Sequence, residues 1–472
     1  MHLPLSARAL CATGAVAGAL LVPAAANAAT LNLDASGHYT YTAGSGFKNN
    51  IFAFGQAGPG GNISIQDQAA DAIALTGSAA GACSHPNASD LSDVTCTTGP
   101  TSFVANLGSD NLADTFIGSL QTSSAMTVNG GPGNDALAAM GTVNGDDGDD
   151  LLGGTAPNSV SNFPSTMNGG VGNDTLLDGD QDTTMNGDTG VDTAKFFSGN
   201  NTITIDGVKN DGPSGGDNVG LTVENVTGGP GNDNITGRTS GANAANKLAG
   251  GGGDDVLNGL DGSDKLDGGP GADTFNGGTG TDTVDYSNRA AAVQALIGNG
   301  IADDGEAGEG DNIKPDVENV IGGFGNDVLV GQSSTVANGL SGGPGTDSLE
   351  GGLGNDSLTG GPSGDEIDGQ AGNDTLNGLA GNDTIDGGAD QDTINGGGGF
   401  DLLDGGSGTD TVSGNDGADQ LFIRDGAADT ANCGDGTDKV VRDSAGDTVN
   451  LDCEISATTF AAVNQAAEAV LK

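Results

Sequence analysis

The chain has no tryptophan, few aromatic side chains and very little positive charge. Aromatics make up 3% of its 472 residues, and 13 lysines and arginines face 64 acidic residues, giving a net charge of −51. Such a composition is typical of a disordered acidic chain, because it buries too little apolar surface to offset chain entropy. The charge also argues against nucleic acid and anionic membranes as partners. An ordered fold must therefore come from a periodic pattern.

Long hydrophobic segments are also scarce. The only long apolar run, residues 10–22, follows the basic residue Arg8 and is too short to span a membrane. Small residues ending at Ala28 fit an A-x-A cleavage site, so residues 1–28 are expected to form a cleaved secretory signal peptide. We therefore expect a secreted, extracellular protein without a transmembrane segment.

Cysteine is rare, with five residues in the whole chain. Cys11 lies inside the expected signal peptide, which leaves four cysteines in the exported part. An even number in an exported chain favours disulfides over metal ligation. Local pairing of Cys83 with Cys96 and of Cys433 with Cys453 is the simplest connectivity.

Glycine, by contrast, is abundant and periodic. Residues 342–422 contain nine copies of a nine-residue unit, each with glycine in the first place, aspartate in the sixth and an apolar residue in the eighth. The clearest copy, residues 378–386, reads GLAGNDTID. A six-residue turn followed by a three-residue strand fits this unit, because glycine permits the turn and a short strand points one apolar side chain inward.

This unit resembles the calcium-binding nonapeptide of the RTX family, Gly-Gly-x-Gly-x-Asp-x-U-x, where U is a large apolar residue. The resemblance implies an all-β, right-handed parallel β-roll, in which two nonapeptides make one coil. It also implies calcium ions between turns n and n+2 on the same edge. A column of carboxylates spaced by about 4.8 Å would repel itself without a cation, and calcium accepts about six to eight oxygen ligands. We therefore predict folding coupled to calcium.

Nineteen nonapeptide copies occur along the chain, and their sixth-place aspartates are the predicted calcium ligands. One calcium ion per aspartate would add about 38 positive charges and leave about −13. The predicted metal ligands are Asp135, Asp150, Asp174, Asp192, Asp233, Asp255, Asp264, Asp273, Asp282, Asp327, Asp347, Asp356, Asp365, Asp374, Asp383, Asp392, Asp401, Asp410 and Asp419.

A second, longer repeat is superimposed on the first. Residues 223–233 return as residues 317–327 with nine of eleven positions identical. Each copy follows a related insertion, at 196–221 and at 286–316. These insertions are expected to leave the solenoid as side loops or hairpins. They could bind a partner or be tolerated surface additions.

The pattern divides the chain into segments of different character. A β-rich N-terminal section comes first, followed by repeats with insertions and a terminal coil closed by a disulfide. The predicted segments are the signal peptide 1–28, the β-rich section or cap 29–125, interrupted repeats 126–249, contiguous repeats 250–285, an insertion 286–321, the main array 322–424, the terminal coil 425–456 and a short helix or tail 457–472.

Catalytic motifs are not supported by the sequence. Residues 212–216 match Gly-x-Ser-x-Gly, but they lack the strand-to-helix context that a nucleophile elbow needs. We expect no enzymatic activity, and a structural or interaction role based on calcium binding. A calcium-dependent surface adhesin or carbohydrate-binding protein is the main alternative, with a cell-surface or extracellular polymer as partner. An extracellular hydrolase with its catalytic section in residues 30–125 is a weaker one. The oligomeric state is left open.

Overall fold

The computed structural model consists of β-strands and turns in the parts of the chain that it describes. Within those parts, no helix is long and apolar enough to cross a membrane. The expected signal peptide and the expected C-terminal helix or tail lie outside the described residues. The described range is 30–455, without residues 34–37, 43–49, 56–62, 68–73, 78–82, 85–92, 97–101, 108–113, 121–124, 140, 154–164, 179–181, 198, 240–244, 444–445 and 451.

The chain forms two compact units, Met1–Met140 and Gly141–Lys472. In the first unit, the strands Asn50–Gly55 and Ile63–Asp67 pair antiparallel, whereas Ser102–Asn106 and Ala125–Pro132 pair parallel. Antiparallel pairing of two further strands aligns the backbones of Cys83 and Cys96. Their side chains lie outside the described residues, so that disulfide stays a prediction. Strands β1 to β11 are, in order, Thr30–Leu33, His38–Thr42, Asn50–Gly55, Ile63–Asp67, Ala74–Gly77, Cys83–Ser84, Asp93–Cys96, Ser102–Asn106, Thr115–Leu120, Ala125–Pro132 and Ala136–Ala139.

The second unit is a parallel β-solenoid of short strands. Strands β12 to β45 are, in order, Thr142–Asp147, Leu151–Gly153, Ser165–Val171, Thr175–Leu177, Thr183–Thr189, Thr193–Lys195, Thr202–Thr204, Asn218–Val219, Asn225–Pro230, Asn234–Thr236, Lys247–Gly252, Val256–Gly262, Lys265–Asp267, Thr274–Gly280, Thr283–Asp285, Val293–Leu296, Gly305–Glu306, Asn312–Ile313, Asn319–Ile321, Val328–Val330, Gly339–Ser341, Ser348–Leu353, Ser357–Gly361, Glu366–Ala371, Thr375–Ala380, Thr384–Asp386, Thr393–Gly399, Leu402–Asp404, Thr411–Gly417, Gln420–Ile423, Thr430–Gly436, Lys439–Arg442, Thr448–Val449 and Glu454–Ile455.

One sheet, here called the shared sheet, runs from β13 to β44, and three side sheets follow one another opposite it. The shared sheet contains β13, β15, β17, β20, β22, β24, β26, β30, β32, β34, β36, β38, β40, β42 and β44. The first side sheet contains β12, β14, β16 and β19. The second has five strands and starts at β18, and the third has ten and includes β27, β28 and every side strand from β31 onward.

In the main array the strand register shows how repeats become coils. Ile367 pairs with Ile385, which pairs with Leu403, so each strand is aligned with the strand 18 residues later. Two nonapeptides therefore make one coil, with one strand in the shared sheet and one in a side sheet. This geometry confirms the predicted parallel solenoid.

The core is a stack of single apolar side chains. Because neighbouring residues of a strand point to opposite faces, the eighth place turns inward while the seventh and ninth turn outward. The eighth-place residues of the main array are at most 1% exposed: Leu349, Leu358, Ile367, Leu376, Ile385, Ile394, Leu403, Val412 and Leu421. Packing along this stack fixes the edges where the aspartates lie.

The two insertions add strands to the solenoid. They also contain antiparallel pairing of the expected hairpin kind, between Asp211 and Asp217 in the first and between β27 and β28 in the second. In the first, β18 starts the second side sheet by pairing with β21, and β19 ends the first by pairing with β16. In the second, β27 starts the third side sheet and β29 ends the second. Each insertion is thus a coil where one side sheet replaces another. Its strands have only two to four residues.

The predicted disulfide between Cys433 and Cys453 is present, with an S–S distance of 2.01 Å. Cys433 lies in the shared-sheet strand β42, and Cys453 directly precedes β45 in the third side sheet. The bridge therefore joins the last two coils, formed by β42 with β43 and by β44 with β45.

Candidate metal-binding ladders

Every predicted ligand occupies the same place in its coil. The sixth-place aspartate ends the turn and directly precedes a strand, so successive aspartates of the second unit stack along the two edges of its solenoid. All nineteen are at most 3% exposed. Burial of an ionised carboxylate is costly unless its oxygens are satisfied, so the partners of these side chains decide what the column can do.

In the main array, one carboxylate oxygen of each sixth-place aspartate has a partner in the protein. The backbone N–H of Asp356 donates to Oδ1 of Asp374 at 2.7 Å, and the N–H of Asp374 donates to Oδ1 of Asp392 at 2.8 Å. The other edge repeats this geometry, with the N–H of Asp365 donating to Asp383 at 2.8 Å. We call each such column a ladder, because every member joins the coil before it to the coil after it.

The second oxygen has no partner in the main array. Residues 342–422 are fully described, and there the Oδ2 atom of each sixth-place aspartate is buried and makes no hydrogen bond. The first-place glycine leaves room for this oxygen. A Cβ added to Gly387 would come 2.7 Å from Oδ2 of Asp392 and 2.5 Å from the carbonyl oxygen of Gly405. A carboxylate and a carbonyl oxygen therefore face one small space with no hydrogen between them.

The burial of the ladder raises the pKa of its carboxyl groups. Removal from water, together with the smaller effect of the neighbouring carboxylates of Asp374 and Asp410, raises the pKa of Asp392 to about 7. Burial likewise raises the pKa of Asp365 to about 7, with Asp347 and Asp383 as the nearest like charges. In the absence of a cation, ionisation of these carboxyl groups therefore destabilises the folded column.

No basic side chain compensates this charge in the main array. Residues 342–422 contain no lysine, arginine or histidine. A buried, unpaired carboxylate column with converging carbonyl oxygens fits a hard divalent cation such as calcium. Over the described part of the chain, no three His, Cys, Asp or Glu side chains converge on one point. A calcium ion here would thus be held by few carboxylates and several backbone carbonyls.

The ladders contain further members that the nonapeptide pattern missed. After the last copy, the N–H groups of Asp410 and Asp419 donate to Asp429 and Asp438, and that of Asp429 donates to Asp447 at 3.3 Å. One extra residue in this coil changes the spacing from 18 to 19, which hides the continuation. Other members missed lie in and beside the insertions: Asn201, Asp217, Glu224, Asn246, Asp311, Glu318 and Asn338.

Two turns of the main array lack the fourth-place glycine and carry Ser363 and Asp390 instead. Asp390 has φ of 81°, whereas the fourth-place glycines Gly381 and Gly399 have φ of 146° and 152°. The ladder continues beside both turns, because Asp365 and Asp392 accept backbone N–H groups at 2.8 Å and 2.8 Å.

Comparison with protein families agrees with this geometry. The profile of the RTX calcium-binding nonapeptide repeat matches residues 249–284, 316–334, 341–376, 359–394, 368–403 and 386–421. The segment 249–421 therefore contains RTX calcium-binding nonapeptide repeats, arranged as a parallel β-solenoid. A search of curated proteins returns no match to the chain.

Proposed function

We propose that this protein is a secreted, non-catalytic calcium-binding protein whose solenoid folds with calcium and serves as a structural or interaction element outside the cell. The observation that carries the proposal is the column of buried aspartate oxygens without partners in residues 342–422. The family match to calcium-binding repeats supports it. Secretion is supported by the signal-like pattern of residues 1–28 and by the Cys433–Cys453 disulfide, since such bonds persist in oxidising compartments.

Residues at different places of the repeat have different roles in the proposed cation binding. The sixth-place aspartates supply charge, and their Oδ1 atoms hold the coils in register through backbone N–H groups. First-place glycines keep the space free and supply carbonyl oxygens. Bound calcium would supply the positive charge that the array lacks. Eighth-place side chains such as Ile385 fix the spacing from within the core.

Removing three neighbouring ligands tests the assignment. Replacement of Asp374, Asp383 and Asp392 together by alanine should reduce the number of calcium ions bound, measured by isothermal titration calorimetry, and loosen the array, measured by circular dichroism. A control with the exposed residues Asp261, Asp416 and Asp435 replaced by alanine changes the net charge equally. It should bind as many ions as the wild type. An unchanged calcium titration of the ladder variant would refute the site assignment.

A second candidate function, calcium-dependent adhesion, is favoured by the outer face of the shared sheet. Ser357, Thr375, Thr393 and Thr411 are exposed, aligned in register, and followed along the sheet by Thr430. The ninth place beside them holds uncharged residues, whereas the third side sheet carries carboxylates there. A regular face of hydroxyl and amide groups on a strongly acidic protein fits a neutral polysaccharide.

Co-sedimentation with an insoluble neutral polysaccharide such as chitin, in millimolar calcium, tests adhesion. Wild-type protein should sediment with the polymer, and replacement of Thr375, Thr393 and Thr411 by glutamate should abolish this. Thr384→Glu, on the opposite sheet, is the control and should leave it intact. Equal sedimentation of both variants would rule out this face.

A further inference from the structure

The ladder along the shared sheet contains two steps that lack aspartate. In both, a glutamate is followed one coil later by an asparagine: Glu224 by Asn246, and Glu318 by Asn338. Each pair directly follows one of the two insertions. We call these pairs the Glu-Asn steps.

In each Glu-Asn step, the asparagine side chain is held by hydrogen bonds alone, one of them to the backbone of the glutamate in the coil before. Nδ2 of Asn338 donates to the carbonyl oxygen of Glu318 at 2.8 Å, and its Oδ1 accepts the N–H of Gln332 at 2.8 Å. Asn246 makes the same pair of contacts. Its Nδ2 donates to the carbonyl oxygen of Glu224 at 2.6 Å, and its Oδ1 accepts the N–H of Arg238 at 3.1 Å. A neutral side chain with both ends bonded leaves no charge for a cation to compensate.

The glutamate ends the aspartate run that precedes it. Oε2 of Glu224 accepts the N–H of Asp192 at 3.0 Å, and Oε2 of Glu318 accepts the N–H of Asp282 at 2.8 Å. The glutamate side chain, although longer than that of aspartate, thus still accepts the backbone N–H of the aspartate in the coil before. Glu224 also pairs with Arg238 at 3.4 Å, so one of the two glutamates has a cation within the protein.

Each insertion beside these steps contains a buried aspartate whose two carboxylate oxygens are both bonded within the protein. Asp211 accepts the N–H groups of Thr204 at 2.6 Å and Val219 at 2.8 Å, one on each oxygen. In the second insertion, Asp304 accepts the N–H groups of Leu296 at 2.7 Å and Ile313 at 3.0 Å. Both oxygens are bonded in each case, unlike the ladder aspartates of the main array.

We propose that the two Glu-Asn steps, with their insertions, hold neighbouring coils of the solenoid together without calcium. They hold two short segments in register at low calcium, and the aspartate runs on either side order around them when calcium binds. This inference rests on the proposed calcium-coupled folding, because it assigns which coils do not need the ion. The two related insertions would then act as built-in starting points for the roll.

Calcium counting tests the steps directly. Asn338→Asp puts a carboxylate oxygen against the carbonyl oxygen of Glu318, as in a ladder without its cation, and should raise the count by one ion per molecule. Asn246→Asp should do the same, which guards against a folding defect in one variant. Asp374→Asn, in the same ladder, is the matched control and should lower the count by one. An unchanged count in both asparagine variants would overturn the proposal.

Hydrogen exchange of the wild type in calcium-depleted buffer gives an independent readout. Peptides covering 202–248 and 293–340 should exchange more slowly than peptides covering 342–422. Equal, fast exchange in all three would also overturn the proposal. A wild type that binds no calcium at all would instead refute the proposed function, so the two failures are distinguishable.

Discussion

At the scale of single residues, the backbone conformation at the second place of the repeat determines how much strain a turn contains. This place commonly adopts a left-handed backbone conformation, as at Gly388 with φ of 98° and Gly397 with φ of 108°. Leu379 occupies the same place with φ of 77°, although its side chain is 52% exposed. A bulky residue in this region is strained by about 1 kcal/mol or more, and the exposed side chain returns little burial energy.

We therefore predict that Leu379→Gly stabilises the calcium-loaded protein by about 1 kcal/mol, because glycine adopts this conformation without strain. The denaturant midpoint of the array in saturating calcium measures the effect. Leu353→Gly is the control, since Leu353 is similarly exposed but not left-handed. It should be neutral or destabilising. A lower midpoint for the Leu379 variant would show that its side chain contributes contacts that outweigh the strain.

At the scale of the element, the ladder links metal binding to protonation. Burial raises the pKa of Asp374 and Asp401 to about 6, and that of Asp365 and Asp392 to about 7, from an ordinary value of 3.8. A group whose pKa is higher in the folded state stabilises the fold when it is protonated. That stability is full below the ordinary value and is lost as the pH rises through the folded value.

The calcium-free protein should therefore be more ordered at pH 5 than at pH 8, because protons replace the missing cation. Far-UV circular dichroism after removal of calcium on a chelating resin measures this difference. In the presence of calcium the effect of pH is the opposite, because protons compete with calcium for the same oxygens. The calcium titration should therefore need higher calcium concentrations at pH 5 than at pH 8. A calcium-free protein that is less ordered at pH 5 would contradict the burial of the ladder.

At the scale of the whole molecule, charge and segmentation act together. The chain carries a net charge of −51, and much of it is concentrated in stacked carboxylates. The shared sheet runs from β13 to β44, residues 151–449, while the side sheets change at the two insertions. The solenoid is therefore a series of segments whose folding is proposed to depend on calcium to different degrees.

We predict that the protein expands when calcium is removed and that monovalent salt reverses this only in part. At 1 M salt the screening length falls to about 3 Å, which weakens repulsion between exposed charges, but buried pairs are screened much less. Small-angle X-ray scattering should show a smaller radius of gyration in 5 mM calcium than in 1 M KCl with chelator. Equal compaction by KCl would mean that general repulsion, rather than specific sites, controls the fold.

Much of the fold and of the candidate site followed from the repeat itself. The nine-residue period identified Asp374 and its equivalents, and the eighth-place rule identified core residues such as Ile385, because each copy folds locally in the same way. The period could not locate Asp429 or Asp438, where one added residue breaks the spacing. It also missed Asp217 and Asp311, which join the ladders from within the insertions.

The sequence by itself determined the local unit: a glycine turn, an aspartate at its end and one inward apolar side chain. These depend on neighbours within nine residues, so a linear pattern records them. Only the tertiary structure decided where one side sheet gives way to the next, and that Asn246 and Asn338 close their steps through amide hydrogen bonds. Those features depend on contacts between successive coils, whose separation along the chain varies with every insertion.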